Sequence, residues 1–254
     1  MLFRLCRPAP PASETRPLAL ADGREVPVRW VRDRRARRLR LIVSEKGARL
    51  TLPPGASLRM AEAFLHEHRA WLGEQLDKQA PEAAPPFGRD WHDPLPLRGS
   101  TVPLHWREGR FAQARLGEHG IELQLPGRAD DRRARAALRE FYLQQARQDV
   151  GRWLPRYLPA LPRAPLALRI RPLSSLWGSL SPGDAVSLDL ALVLGRPAAF
   201  EYVLVHELCH LSHADHSPRF WREVERHWPA WREERDYLRG EGLALKAMLA
   251  RLTR

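Results

Sequence analysis

The sequence predicts an α+β fold in which a small β-rich module precedes a mainly helical domain. Alternating apolar and polar residues, typical of strands, concentrate in the first half of the chain. Apolar residues at helical spacing dominate the second half. Strands and helices segregated in this way favour an α+β arrangement over an alternating α/β one. We therefore expect a disordered Pro-rich tail over residues 1–17, a β-rich N-terminal module with one helix over 18–127, and a second domain over 128–254.

The N-terminal module begins with strands. Apolar residues alternate over 26–30, 39–43 and 50–52, and the last two segments flank the turn sequence S-E-K-G. This pattern predicts a hairpin. Ser57 is a suitable N-cap for a helix that keeps its apolar spacing until Pro81.

Shorter strands follow in the middle of the chain. We expect them over 102–106, 111–116 and 121–125, where glycines separate them. Asp130 then opens a long helix that runs toward Pro155, because a carboxylate stabilises the positive end of a helix.

The next segment predicts a second hairpin. Residues 166–170 alternate as a strand, and the hairpin that follows turns at 181–184, where Pro182 and Gly183 occupy turn positions. A metal-helix segment comes directly after this hairpin, and a last helix is expected over 230–252.

One stretch, from Tyr202 to Trp221, has the spacing of a zinc site on a helix; it reads Y-V-L-V-H-E-L-C-H-L-S-H-A-D-H-S-P-R-F-W. His206 and His210 are four residues apart, so they stand one turn above the other on one helix face and can share a cation. Glu207 lies beside them, placed to hold a water at the metal and not to bind the metal itself. The opposite face of this helix is apolar and can be buried.

A catalytic zinc has three protein ligands and one open position, so a third ligand is required. His213 returns to the same face, but three ligands along a straight helix span about 10.5 Å and cannot converge on one ion. Ser217-Pro218 has the pattern of an N-cap and first residue of a new helix, so the metal helix should end near Asp215 and leave His216 in the turn. The predicted zinc ligands are His206, His210 and His216.

Other residues are alternatives for the third ligand. Cys209 flanks the histidine pair, although a cysteine there is more typical of a small core residue. Later acidic residues offer a carboxylate, but their spacing selects none of them over His216. These residues are Glu223, Glu225, Glu233 and Glu234.

The zinc-helix stretch resembles that of the YgjP-like metallopeptidase family, which is related in this pattern to the SprT-like and WLM zinc proteases. The resemblance runs from about Arg24 to Tyr237 and includes the W-G-S segment at 177–179 and the basic hairpin R-R-A-R-R-L-R-L-I-V-S-E-K-G-A-R-L-T-L-P-P. Where the family has a basic residue before W-G-S and a cysteine after it, this chain has Leu176 and Leu180. The resemblance implies a zincin-like catalytic domain with peptidase activity and a Zn²⁺ cofactor.

The predicted chemistry is metal-assisted hydrolysis of a peptide bond. Zinc lowers the pKa of its bound water, and Glu207, the predicted catalytic residue, accepts the proton as general base. In zinc peptidases, a strand beside the metal helix offers its free edge to an extended substrate, so we expect a peptide or unfolded polypeptide as substrate. Trp177 is expected either to line this site or to pack in the core.

Two other functions are alternatives to a peptidase. A zinc-dependent nucleotide or phosphoanhydride hydrolase would require arginines that converge on the metal, and the sequence has no Gly-rich phosphate loop. A non-catalytic binding module would contain zinc as a structural ion only.

The chain has a net charge of +12. Seven arginines lie between Arg29 and Arg40, and they form either a strip for an anionic ligand or a solvated sheet face. The solvated face is favoured because no aromatic residues alternate with the arginines as base-stacking platforms. Nucleic acid is retained as a second class of partner on charge alone.

Targeting signals and cysteine content indicate the expected cellular location. No apolar run is long enough to cross a bilayer, and arginine and proline interrupt the first residues before a signal peptide could form. Cys6 and Cys209 are the two cysteines, so no disulfide framework is expected. We therefore expect a cytoplasmic protein with no membrane partner, and the sequence does not indicate its oligomeric state.

Overall fold

The structure, a computed structural model, describes residues 13–44, 47–79 and 86–254. Over these residues the protein is a mixed α/β structure with six α-helices and four small sheets. The chain divides into two compact units, Met1–Ala83 and Ala84–Arg254. None of the described helices is long and apolar enough to cross a membrane.

The first unit is a four-stranded sheet with two helices packed on one face. Its strands are β1 (Ser13–Ala19), β2 (Glu25–Arg32), β3 (Arg40–Ser44) and β4 (Gly47–Leu52), and its helices are α1 (Leu58–Glu67) and α2 (Arg69–Gln79). The strand order is β1-β2-β4-β3, with β2 and β4 parallel and the other neighbours antiparallel. Val28 and Leu50 of the sheet share a core with Leu65 and Leu72 of the helices.

The predicted hairpin is present as β3 and β4, and its turn at 45–46 lies outside the described residues. Ser57 caps α1 as predicted, since its hydroxyl accepts a hydrogen bond from the Met60 amide at 3.2 Å. The single expected helix is broken at His68, whose backbone N–H and ring Nδ1 both bond to the carbonyl of Phe64. The backbone of His68, with φ −98° and ψ 9°, leaves the helical conformation, so α1 ends there and α2 begins at the next residue.

The expected tail over 1–17 is wrong for its last five residues. Residues 13–17 belong to β1, which pairs with β2 from Ser13↔Val31 to Ala19↔Glu25. This pairing provides hydrogen-bond partners for backbone groups at an edge of β2 that would otherwise have none. The proline-rich composition of the segment does not indicate such a pairing. Residues 1–12 lie outside the described part of the chain.

The second unit combines three small sheets with four helices. A two-stranded sheet contains β5 (Leu95–Leu97) and β6 (Ser100–Val102). A second sheet has the order β7-β9-β8, and its strands are β7 (Leu104–Glu108), β8 (Gln113–Gly117) and β9 (Gly120–Leu125). The third has the order β10-β12-β11, and its strands are β10 (Ala167–Arg171), β11 (Gly178–Leu180) and β12 (Ala185–Asp189). The helices are α3 (Asp131–Tyr157), α4 (Pro197–Cys209), α5 (Pro218–His227) and α6 (Trp231–Thr253).

The boundary between the units differs from the expected one at 127/128. Ile121 and Leu123 of β9 are fully buried in the same core as Phe141 of α3 and Leu204 of α4. The strands of 95–125 therefore belong to the helical unit. Alternation along a strand identifies a buried face, but it does not say which helix covers that face.

The long helix α3 begins as predicted. The Asp130 carboxylate accepts a hydrogen bond from the Arg133 amide at 3.0 Å, and Asp131 adds negative charge to the first turn. The helix continues two residues beyond Pro155.

Candidate metal centre

The helix that carries the H-E-x-x-H motif is α4. Pro197 is its first residue, and its apolar side chains Phe200, Leu204 and Leu208 are buried in the core of the second unit. The helix ends at Cys209, six residues before the predicted end near Asp215. The motif therefore lies at the C-terminal end of α4.

The early end of α4 changes the position of His213. His210 is the C-cap residue, and the backbone turns directly after it, with Ser212 and His213 amides both bonded to the carbonyl of Cys209. The expectation that His213 continues in line along the helix is wrong. His216 lies in the turn before α5, as predicted from Ser217-Pro218, although the Ser217 side chain makes no capping hydrogen bond.

The carbonyl of His213 lies 2.9 Å from Nδ1 of His210. A carbonyl oxygen only accepts hydrogen bonds, so Nδ1 carries the proton and the lone pair of Nε2 is left for a ligand. Ligating histidines usually have such a backbone or carboxylate partner on the second nitrogen. The carboxylate of Asp215, in the same turn, accepts a hydrogen bond from the Ser217 amide at 3.2 Å.

The three predicted ligands converge. One ligand atom from each of His206, His210 and His216 lies within 4.8 Å of the other two. Nε2 of His206 is 3.1 Å from Nε2 of His216. Two nitrogens bound to one tetrahedral zinc at the usual bond length lie about 3.3 Å apart, so this donor set fits a zinc ion.

Phe220, in the first turn of α5, contacts all three histidine rings. It stacks on His210 with ring centroids 4.4 Å apart and meets His206 and His216 edge-on at 4.9 and 4.8 Å. Its side chain is fully buried. The sequence signal for this contact is the place of Phe220 in the first turn after the S-P start, because a side chain there points back toward the preceding turn.

The Nδ1 side of the His206 ring is held by packing against the neighbouring rings of Tyr202 and Phe220. Its Nδ1 is buried without a hydrogen-bond partner among the described residues. Burial, together with the neighbouring His210 and His216, lowers the pKa of His206 to about 3. Its imidazole is therefore neutral, which is the form that binds a metal.

Glu207 is 6 % exposed and faces strand β11. Burial raises the pKa of its carboxyl to about 8, and a hydrogen bond from the backbone amide of Leu180 opposes that rise. Gly178 lies directly against it: a Cβ there would be 2.6 Å from Cγ and from Oε1 of Glu207. The glycine of the W-G-S segment is thus required by the close approach of β11 to the carboxylate.

A groove of about 970 Å³ contains the histidine triad and Glu207. Strand β11 forms one wall, and among the described strands it pairs with β12 alone, at the edge of its sheet. Trp177 and Ser181, at either end of β11, form backbone hydrogen bonds with β12. Because successive residues of an antiparallel strand point their backbone groups to alternate sides, those of Gly178 and Leu180 point to the free edge. At this edge, the amide of Leu180 bonds to the Glu207 carboxylate.

The two positions that depart from the family pattern both line this groove. Leu176 is 50 % exposed and Leu180 is half-buried.

Near the turn of the hairpin, Arg163 bonds to Asp184 at 2.9 Å and to the carbonyl of Leu211 at 3.1 Å. Arg163 therefore ties the hairpin to the loop that follows α4.

Trp177 also lines the groove, and α6 holds it in place. Nζ of Lys246 lies 4.5 Å from the centre of the Trp177 ring, and it also donates to the carbonyls of Leu173 and Leu176. The same amine forms an ion pair with Asp189, which is buried at the end of β12. This anchor, which sequence reasoning did not identify, fixes the segment that leads into β11.

The alternative third ligands lie outside the cluster. Cys209 is a buried free cysteine, and burial raises the pKa of its thiol to about 12. Three of the acidic candidates form ion pairs elsewhere, namely Glu223 with Arg226, Glu225 with Arg232 and Glu234 with Arg196. Among the described residues, the histidine triad is the one cluster arranged to hold a metal ion.

The chain is similar to known metallopeptidases. A search of solved structures finds the metallopeptidase zymogen abylysin of Pyrococcus abyssi, 30% identical over 39% of this chain and 90% of that one, with a TM-score of 0.29. That TM-score is too low for the likeness to describe the fold. No match is found among curated proteins. The sequence model of the YgjP-like metallopeptidase domain matches residues 37–241, so this chain belongs to the YgjP-like family of metal-dependent peptidases.

Proposed function

We propose that the protein is a zinc-dependent peptidase that cleaves extended polypeptide, with His206, His210 and His216 as zinc ligands and Glu207 as general base. One observation carries this proposal: three histidine donors within 4.8 Å of one another share a groove with a buried carboxylate and a free strand edge. A structural zinc site is normally closed by a fourth protein ligand. The described residues provide three clustered donors, which is the count of a catalytic site.

A zinc ion held by the triad would supply Lewis-acid polarisation of a carbonyl and a water of lowered pKa. Glu207 accepts the proton of the attacking water and returns it to the leaving amine. Burial raises the pKa of this carboxyl, whereas a cation bound beside it would lower that pKa and favour the ionised form that accepts the proton. The Leu180 amide and the close packing of Gly178 limit the positions that this carboxyl can adopt.

The free edge of β11 orients the substrate. An extended peptide beside it can bond to the N–H and C=O of Gly178 and to the C=O of Leu180, whatever its sequence. Most backbone groups of a folded protein are already hydrogen-bonded, so we propose unfolded or flexible segments as the substrate class. Apolar Leu176 and Trp177 along the groove favour apolar side chains beside the cleaved bond.

The test compares Glu207→Gln with Glu201→Gln in zinc-loaded protein. Both residues lie on α4 and are buried, but Glu201 bonds to Tyr157 and Arg156, away from the groove. Glu207→Gln should keep its zinc and lose about a hundredfold or more in cleavage of a reduced, unfolded polypeptide. The folded Glu201→Gln variant should cleave this polypeptide at the parental rate.

Two results would overturn the proposal. Hydrolysis of nucleoside triphosphates in a Glu207-dependent way, with polypeptides and peptide libraries uncut, would replace the peptidase by a phosphoanhydride hydrolase. No hydrolysis of either substrate class by fully zinc-loaded protein would leave a structural-zinc module.

A further inference from the structure

The first unit carries seven exposed arginines on the outer face of its sheet and in the loop between β2 and β3, and we call them the arginine patch. They are Arg29, Arg34, Arg35, Arg37, Arg38, Arg40 and Arg49. From this patch we infer that the first unit binds the phosphate backbone of a nucleic-acid duplex. The inference does not depend on the peptidase site, since every residue it uses lies in the unit Met1–Ala83.

The register of the sheet places three patch residues together. Arg29 of β2 lies directly opposite Arg49 of β4. Their neighbours Val28 and Leu50 are buried in the core, so the alternation of the strands turns both arginines to the other face. Arg40 of β3 lies on that same face, one diagonal step from Arg49. The loop arginines follow directly at the end of β2.

These charges are not compensated within the described part of the unit. Its ion pairs are all made by two other arginines: Arg16 pairs with Glu14 and Glu62, and Arg24 with Asp22 and Asp77. No side-chain hydrogen bond or ion pair of a patch arginine occurs among the described residues. Like charges directly opposite on neighbouring strands destabilise a sheet. An anionic partner would remove that repulsion.

The chemistry of the patch selects the partner. A guanidinium binds phosphate through two parallel hydrogen bonds, and a row of them fits a repeating phosphodiester. The aromatic residue of β2, Trp30, faces the core, where Arg16 lies over its ring at 4.9 Å. The outer face therefore offers no described aromatic platform for unstacked bases. The absence of aromatic residues argues against stacking on unpaired bases. It does not argue against contacts with the phosphate backbone of a duplex, and such contacts do not depend on the base sequence.

The experiment measures fluorescence anisotropy of two unrelated labelled duplexes of about 20 base pairs with the full-length protein at a series of salt concentrations. We expect equal affinity for both sequences and a slope of log K against log salt that reaches about −6 if all seven arginines contact phosphates. The variant Arg29→Gln/Arg40→Gln/Arg49→Gln should bind at least tenfold more weakly, with a slope smaller in magnitude by about 2.7. Its thermal midpoint without DNA should not fall, because the substitutions remove repulsion between exposed groups.

A matched control removes the same charge from the second unit, with Arg128→Gln/Arg132→Gln/Arg139→Gln at three exposed positions. This control should bind duplex nearly as the parent does. Equal weakening by both triple variants would overturn the inference, since net charge alone would then explain binding. Tighter binding of single strands than of duplex would also overturn it. Binding to phosphatidylserine–phosphatidylcholine vesicles that depends on the arginine patch, without binding to duplex, would overturn the inference as well.

Discussion

Gly178 and Glu207 approach each other so closely that a methyl group on Gly178 would lie 2.6 Å from the carboxylate oxygen Oε1. We therefore expect Gly178→Ala to displace the Glu207 side chain while leaving the histidine triad intact. A misplacement of about 1 Å lowers catalytic efficiency by about a hundredfold. Steady-state kinetics on an unfolded polypeptide, with zinc content measured in parallel, checks this prediction.

Gly183 provides the control for that substitution. It lies in the turn of the same hairpin, and a Cβ there meets nothing within 4 Å. Gly183→Ala should retain parental activity and zinc. Loss of zinc in Gly178→Ala would contradict the prediction, since its effect would then extend to the ligands.

The two histidines of the turn should differ sharply in their importance for metal binding. His216→Ala removes one of three converging donors and should abolish stoichiometric zinc binding. His213 serves His210 through its backbone carbonyl, which alanine retains, so His213→Ala should bind zinc with nearly parental affinity. Competition with a chromogenic chelator measures both affinities. The opposite order would refute the ligand assignment.

Phe220→Leu should weaken zinc binding because Phe220 packs against all three ligand rings. Loss of groups that orient metal ligands typically costs 10- to 100-fold in affinity, and we expect about tenfold here. Phe200→Leu is the control, since Phe200 is equally buried on α4 but contacts Trp153 instead of the site. Both variants should unfold at lower urea concentration, whereas only Phe220→Leu should release zinc more readily.

The ion pair between Lys246 and Asp189 should show strong coupling. Lys246→Met leaves the buried Asp189 carboxylate without its partner, and removing one member of a buried pair costs about 3–5 kcal/mol. The double variant Lys246→Met/Asp189→Asn should recover part of that loss, because neither charge is then left alone. Urea unfolding of the four proteins in the cycle measures the coupling energy. Additive losses would show that the pair does not act as a unit.

Removal of zinc should lower stability without unfolding the core. An ion at a thousandfold excess over its Kd contributes about 4 kcal/mol. For a chain of this size, chelation should lower the thermal midpoint by on the order of 10 °C. Differential scanning calorimetry before and after chelation checks this. An unchanged midpoint in protein shown to bind zinc would mean that the unfolded chain binds the ion equally well.

Local signals allowed much of the fold to be predicted. Ser57 is predicted as an N-cap, and Asp130 is predicted to open its helix through its charge; in the structure both side chains accept a hydrogen bond from the amide three residues further on. The hairpin turn at 181–184 followed from Pro182 and Gly183, whose conformational preferences act over a few residues. The conformations of such short segments depend little on the tertiary packing of the rest of the chain.

Features that depend on packing were missed or misplaced. Helical spacing continued past Cys209, so the early end of α4 was not visible in the sequence, and the argument against His213 rested on a helix that does not extend to it. The triad itself was still predicted, because a ligand in the following turn is required for three donors to converge. Lys246 was missed because its contacts with Asp189 and Leu173 join segments far apart in sequence.

The position of the motif at the C-terminal end of α4 also determines the sign of the field that this helix contributes to the groove. The last carbonyls of a helix have no intrahelical partners, and together they act as about half a negative charge. A cation placed there is attracted by the helix as well as by its ligands. Sites that bind phosphate use the opposite end, where free amides point at the anion. The backbone of α4 therefore favours a neutral peptide carbonyl over a phosphate chain as the group that approaches the metal.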